Sequence, residues 1–235
     1  MRCKDKFPIL NPNVAHVWLV EVQNFIPQLD TFWQILADDE KARADRFVFA
    51  KHRERYIVIH GILRQLLARY LQINPQEINF VNNKYGKPQA ANIYFNITHS
   101  HDMALLGFTK ISEIGVDIEF IRKDFASSNI AKRFFSEPEV KALSKAKDQT
   151  SAFFNCWTRK EAFIKAIGQG LSFPLNKFDV AIGAKKGSLL LNVRDNKYKV
   201  ADWSLMSLNA PKNYTAALCS TIEKIQQFQF TSTLV

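Results

Sequence analysis

The sequence predicts an α+β protein built from two similar halves, and three observations carry that expectation. Each half of the 235-residue chain sets a long amphipathic helix ahead of several short strands. The run Met103-Ala104-Leu105-Leu106 is faintly echoed by Thr215-Ala216-Ala217-Leu218, as a duplicated unit would leave. Hydrophobic residues make up 47% of the chain, with 19 Phe, which supports a substantial core and argues against extensive disorder.

Taken in order, Val14–Val22 alternates as a first strand, and Thr31-Phe32-Trp33 opens a helix. From about Lys51 to Leu71, Tyr56, Ile59, Leu63, Leu66, Leu67 and Tyr70 recur at helical spacing with Arg and Lys on the other side. Asn74-Pro75 closes that helix. Strands are expected near Ile78–Val81, Ile93–Ile97 and Met103–Thr109, with a turn-prone stretch holding Asn82-Asn83 and Gly86-Lys87-Pro88. Residues 1–111 form the first half and 112–235 the second.

The second half opens with Ile114 to Phe120 as a strand. Its apolar side chains alternate with Asp117 and Glu119, which share the opposite face. Ser136-Glu137-Pro138-Glu139 reads as a capping box starting a short helix to about Ala146. A longer helix follows from Gln149 to Ile167 and stops at Gly168, a C-cap residue. Strands are then expected near Phe178–Ile182, Ser188–Val193, Tyr198–Leu205 and Tyr214–Cys219.

The formal charge of +10 favours an anionic partner, and the charge is concentrated. Between Lys41 and Arg69 stand eight Lys and Arg against Asp45 and Glu54 alone. Cys3, Cys156 and Cys219 are widely spaced with no metal-ligand pattern, so reduced thiols in a cytoplasmic protein are expected, with Cys156 a buried packing residue. No signal peptide or membrane-spanning run is visible.

Chemistry gathers in four places. Asp117 and Glu119 offer two oxygen ligands on one strand face; alone, such a pair reads as a solvated edge. Trp157-Thr158-Arg159-Lys160-Glu161 continues to Lys165, so Glu161 and Lys165 lie one helical turn apart. Phe95-Asn96-Ile97-Thr98-His99-Ser100 brings hydroxyls and an imidazole to a strand end, in no zinc or nucleophile-elbow spacing. Tyr85-Gly86-Lys87-Pro88 is a turn that can present a cation and free backbone groups.

These elements, with Ala131-Lys132-Arg133-Phe134-Phe135-Ser136 and the continuation to Gly168-Gln169-Gly170-Leu171, resemble the Sfp-type 4′-phosphopantetheinyl transferases over roughly Lys41 to Phe178. The resemblance implies two α/β halves related by a pseudo-twofold axis, with coenzyme A as substrate in the cleft between them. It implies transfer of the phosphopantetheine arm to a serine of an acidic apo carrier protein, with release of adenosine 3′,5′-bisphosphate, by a monomer. It assigns Mg²⁺, with Mn²⁺ the other candidate, to Asp117, Glu119 and Glu161. Catalysis falls to Glu161, as the proton acceptor, and to Lys165 on the pyrophosphate. His99 with Thr98 would meet the 3′-phosphate, Gly86, Lys87 and Pro88 the adenine and phosphate, and Arg43 and Arg55 further phosphate oxygens. Carrier docking is expected near Phe125 to Phe135, where Phe125, Ile130, Phe134 and Phe135 read equally as core. Gln169 departs from a Lys common among relatives, Thr98 from the commoner Ser, and Ile118 from a polar group found in some.

Two other classes compete. A metal-dependent phosphodiesterase or nuclease uses the same carboxylates and lysine. A basic nucleic-acid-binding module explains the charge alone, but the chain has no RNP, zinc-finger or clear helix-turn-helix signature, and no nucleic-acid partner is expected.

Overall fold

The structure, a computed structural model, describes residues 7–123, 127–183 and 187–234. The first half runs β1 (Ala15–Glu21), α1 (Leu29–Ile35), α2 (Asp38–Ala44), α3 (Ala50–Leu71), a short hairpin of β2 (Val81–Asn82) and β3 (Pro88–Gln89), then β4 (Tyr94–Ser100) and β5 (Met103–Thr109). The second runs β6 (Ile114–Phe120), α4 (Ser127–Phe134), α5 (Glu137–Ser144), α6 (Gln149–Ala166), β7 (Phe178–Val180), β8 (Leu190–Val193), β9 (Ser204–Leu208) and β10 (Tyr214–Ser220). β11 (Ile225–Gln229) then returns to the first half and pairs parallel with β1. The fold is α+β.

The halves repeat one topology. In the first, β1 pairs antiparallel with β5, and β5 with β4. In the second, β6 pairs antiparallel with β10, and β10 with β9. The two echoing tetrapeptides fall on β5 and β10, the equivalent central strands. The expected boundary at 111 and 112 lies in the β5–β6 connection, while β11 and Phe230 belong to the first half's sheet and core.

Alternation along the strands builds the layers. Trp18, Val20, Ala104, Leu106 and Phe108 join the apolar face of α3 in one core. Val17, Leu105, Ile114, Val116, Ile118 and Leu218 form a second core where the two sheets face each other. Ala217, Cys219 and Leu205 pack with α6 in a third. Both faces of β6 are therefore covered. Gly115 explains how α6 lies so close: a Cβ there would stand 2.1 Å from the Ala162 carbonyl oxygen and 2.3 Å from the Ala166 nitrogen.

Several expected elements change shape. The strand expected near Ile78–Val81 shrinks to the two-residue β2, because Asn83 turns the chain onto the Lys87 backbone. The one expected over Tyr198–Leu205 begins only at Ser204, since Trp203 N bonds back to Val200 O in a tight 3₁₀ turn. α6 ends as expected, with Gly168 at φ +71. The predicted Ser136 capping box forms, Glu139 accepting from Ser136 N at 2.9 Å. Cys156 and Cys219 are buried and free, and Cys3 lies outside the described residues. No helix among the described residues is long and apolar enough to cross a membrane.

Two stability measurements test this packing. Gly115→Ala drives a methyl into the α6 backbone, which cannot yield as a side chain would, and is expected to cost about 3 kcal/mol in urea unfolding. His16 is fully buried, and its Nδ1 accepts from Tyr70 Oη at 2.8 Å, that hydroxyl itself accepting from Trp18 Nε1. Burial, partly opposed by Gln226, lowers His16 from 6.5 to about 4. Between those values the unfolded chain binds a proton that the folded one excludes, so stability falls as pH falls. Relative to His16→Gln, the wild type should lose roughly 2 kcal/mol between pH 7 and pH 4.5.

Candidate active site

β4 ends one sheet and β6 ends the other, and they run side by side. Their contact is made by alternate side chains of β4. Asn96 Oδ1 accepts from Val116 N (2.9 Å), Thr98 Oγ1 donates to Asp117 Oδ1 (3.0 Å), and Ser100 Oγ accepts from Phe120 N (3.0 Å) while donating to Glu119 Oε2 (2.8 Å). The polar positions of β4 thus hold the acidic positions of β6.

Against this seam lies α6. Lys165 Nζ donates to Asp117 Oδ1 at 2.6 Å and to Thr98 Oγ1 at 3.2 Å. Asp117 is 2% exposed, and its Oδ2 is buried with no hydrogen-bond partner among the described residues. Burial pushes the Asp117 carboxyl up, against the pull of Lys165. Burial and then the Asp117 charge push Glu119 up. Burial lifts Glu161 to about 7; the charges of Asp117 and Glu119 add to this and Lys165 opposes it. Burial would lower Lys165, but Asp117, Glu161 and Glu119 outweigh it and raise its pKa.

Three carboxylates therefore act electrostatically on one another and on a single ammonium. Among the described residues no group of three or more His, Cys, Asp or Glu is already set as a metal cage. The donor set nevertheless fits a hard dication: oxygen ligands, a buried carboxylate oxygen with nothing to bond, and more negative than positive charge.

Beside the seam, a cavity of about 430 Å³ is lined by Arg43, His52, Arg55, Tyr56, Thr98 and His99 among others. Four of the expected nucleotide contacts meet there. Burial, and then the Arg55 charge, lower the His99 pKa. Tyr56 stacks on His60 at 4.0 Å, with the Arg43 guanidinium 5.6 Å from the Tyr56 ring. Glu40 holds His60 and the buried Arg64, at 3.1 and 2.5 Å.

The Gly86-Lys87-Pro88 turn stands apart from that cavity. Lys87 Nζ donates to Glu113 Oε2 (2.5 Å) and to the carbonyls of Ile114 (3.1 Å) and Ala166 (3.4 Å), tying the turn to β6 and the end of α6. Ile130 and Phe134 pack partly buried on the α6 core and Phe135 lies inside it, while Phe125 is outside the described residues.

Known proteins are similar to this chain over most of its length. A family pattern described as the 4′-phosphopantetheinyl transferase superfamily matches residues 113–219, and one described as 4′-phosphopantetheinyl transferase, N-terminal, matches 23–110. The 4′-phosphopantetheinyl transferase HetI of Nostoc sp. is 32% identical over 212 residues, covering 87% of this chain and 86% of its own. The chain belongs to the 4′-phosphopantetheinyl transferase family. It is a phosphopantetheinyl transferase. Sfp of Bacillus subtilis is 34% identical over 158 residues, 65% of this chain and 69% of its own. The human L-aminoadipate-semialdehyde dehydrogenase-phosphopantetheinyl transferase is 31% identical over 69% of this chain and 54% of its own. A crystal structure of Thermotoga maritima holo-[acyl-carrier-protein] synthase overlaps 48% of this chain and 63% of its own at a TM-score of 0.38 and 20% identity.

In this transferase Asn96 and Ser100 also hold the seam, and their spacing with Thr98 is a readable period of two. Nothing in the sequence marks Lys160 as a wholly buried clamp. Lys160 Nζ reaches Leu175 O (2.7 Å), Phe178 O (2.8 Å) and Glu139 Oε2 (2.8 Å). Thr98 supplies the test of the seam. Thr98→Val removes a hydroxyl bonded to both Asp117 and Lys165 and should cost about 1.5–3 kcal/mol in denaturant unfolding, while Thr98→Ser should stay close to wild type.

Proposed function

We propose that the chain transfers the phosphopantetheine arm of coenzyme A to a serine hydroxyl of an apo carrier protein, releasing adenosine 3′,5′-bisphosphate. One observation carries this reading. Thr98 lines the basic cavity and also bonds Asp117 and Lys165, so a phosphate-binding hollow and a carboxylate–lysine group share a wall. A nucleotide diphosphate ester with a further phosphate matches that pairing: fixed cations for the nucleotide end, a charge-handling centre for the bond that breaks.

Arg43, Arg55 and His99 hold nucleotide phosphates, and Thr98 orients Asp117 beside them. Lys165 binds the pyrophosphate with the donor that Asp117 and Thr98 leave unused. Gly86, Lys87 and Pro88 act from the neighbouring wall by fixing where β6 begins and α6 ends. Asp117, Glu119 and Glu161 would hold Mg²⁺ or Mn²⁺, whose charge neutralises pyrophosphate oxygens. The serine oxygen attacks the phosphorus bearing the pantetheine arm. The bond from that phosphorus to the bridging oxygen breaks, and its electron pair leaves with the nucleotide. The serine proton passes to Glu161, directly or through a water it orients. An acidic carrier would be steered by the +10 charge toward a monomer working in the cytoplasm.

Incubation with coenzyme A, Mg²⁺ and apo carriers from fatty-acid, polyketide and peptide synthesis tests the reading by mass spectrometry. A mass gain of one phosphopantetheine arm on a carrier is expected, and Asp117→Ala should slow it at least about 100-fold with an unchanged circular dichroism spectrum. Transfer to none of the carriers, or hydrolysis of simple phosphodiesters without one, would overturn it.

A further inference from the structure

Between α2 and α3 the chain exposes three consecutive large apolar side chains: Phe47 is 38% exposed, Val48 90% and Phe49 64%. The other large exposed apolar residues described are scattered singly along the chain. A single exposed apolar residue needs no explanation, but a contiguous run commonly marks an interaction surface. The run is also positioned. Phe47 lines the cavity that holds Arg43, Arg55 and His99, and its ring lies 5.6 Å from that of Tyr56, while Val48 projects into solvent and the mostly exposed Phe49 ring meets His52 edge-on.

Charge decides the kind of partner. Exposed Arg46 and Lys51 flank the three residues, and among the described residues neither has a carboxylate partner. Asp45, the nearest acid, is taken by Arg53 at 3.0 Å. An apolar knob rimmed by unpaired cations complements a helix whose apolar stripe is edged by carboxylates.

We infer that Phe47-Val48-Phe49, with Arg46 and Lys51, is a docking surface on the first half of the molecule for the acidic apo carrier protein. The inference rests on the transfer reading above and adds where the carrier is gripped. Phe47 lines the same cavity as Thr98, and Thr98 bonds Asp117, so a carrier gripping the run is held next to the transfer site while Val48 and Phe49 stay outside the nucleotide cavity. Surface apolar anchors of this sort supply much of a small interface's affinity, and the flanking charges supply its rate and salt dependence.

Steady-state transfer kinetics on Val48→Asp and Phe49→Asp, with coenzyme A binding measured by calorimetry without carrier, test this. Both side chains are exposed, so melting temperatures should hold. The KM for apo carrier should rise about 10-fold or more in each variant, with coenzyme A affinity and kcat within about twofold of wild type. Arg46→Glu with Lys51→Glu should raise the carrier KM further and flatten its dependence on salt. An unchanged carrier KM overturns the surface while the transfer reading stands, because the wild type still modifies the carrier. Loss of coenzyme A affinity in step with carrier affinity assigns the three residues to the nucleotide and also overturns it. A wild-type dimer that Val48→Asp converts to monomer would make the patch a self-interface and overturn the carrier surface too. A wild type that modifies no carrier removes the transfer reading itself.

Discussion

The whole molecule depends on how two sheet edges are joined. An edge strand left bare presents unpaired N–H and C=O groups, and two edges lying side by side ordinarily complete one backbone ladder. Here β4 meets β6 through Asn96, Thr98 and Ser100 instead, two of which take up β6 backbone N–H groups at Val116 and Phe120. Side chains need more room than a ladder, and that room is what admits carboxylates between the strands. The seam joining the halves and the site between them are one structure. A main-chain ladder would close the gap and leave no place for Asp117 and Glu119 to meet Thr98 and Ser100.

Burial is the second half of that constraint. Asp117 is almost wholly shielded and Lys165 meets it from α6, so the pair replaces water for each other. The balance is incomplete, because Glu119 and Glu161 bring further negative charge within range of one ammonium. Their raised proton affinities register that excess, with burial the largest cause for each. A packed core gains nothing from such crowding. Polar groups held in partly unsatisfied positions are what a binding centre maintains until its ligand arrives.

Much of this could be read from residues alone, and the limits have physical causes. Period-two alternation correctly placed Asp117 and Glu119 together, but it could not say that their face is covered; Gly115 was the signal, since only a glycine lets a helix backbone lie against a strand. Helix periodicity and the Gly168 stop located α6 to within a residue. Lys87 was legible as a turn cation and not as a tie, because Glu113, Ile114 and Ala166 reach it only through the tertiary fold. The return of β11 was invisible for a related reason. Its Gln226, Gln227 and Gln229 have the polarity of a loop, and its strand form comes from parallel pairing along β1. The tight turn at Val200–Asp202 cut short a strand that apolar alternation alone would have carried through.

Two lysines of α6 show how a structural charge can be told from a functional one without appeal to similarity. Lys160 and Lys165 are both paired with a carboxylate from another element. Lys160 is fully buried, donates to the carbonyls of Leu175 and Phe178, and pairs with Glu139, whose oxygens also accept from Ser136 N and Val180 N. It is a finished clamp, and opening it would strand a charge inside the α6 core. Lys165 bonds Asp117 and Thr98 with two donors, retains partial access to solvent, and faces an acceptor whose second oxygen is unpaired. Capacity is left on both sides of that pair. An incoming phosphate can take the spare donor, and a cation can take the spare oxygen, without first dismantling the fold.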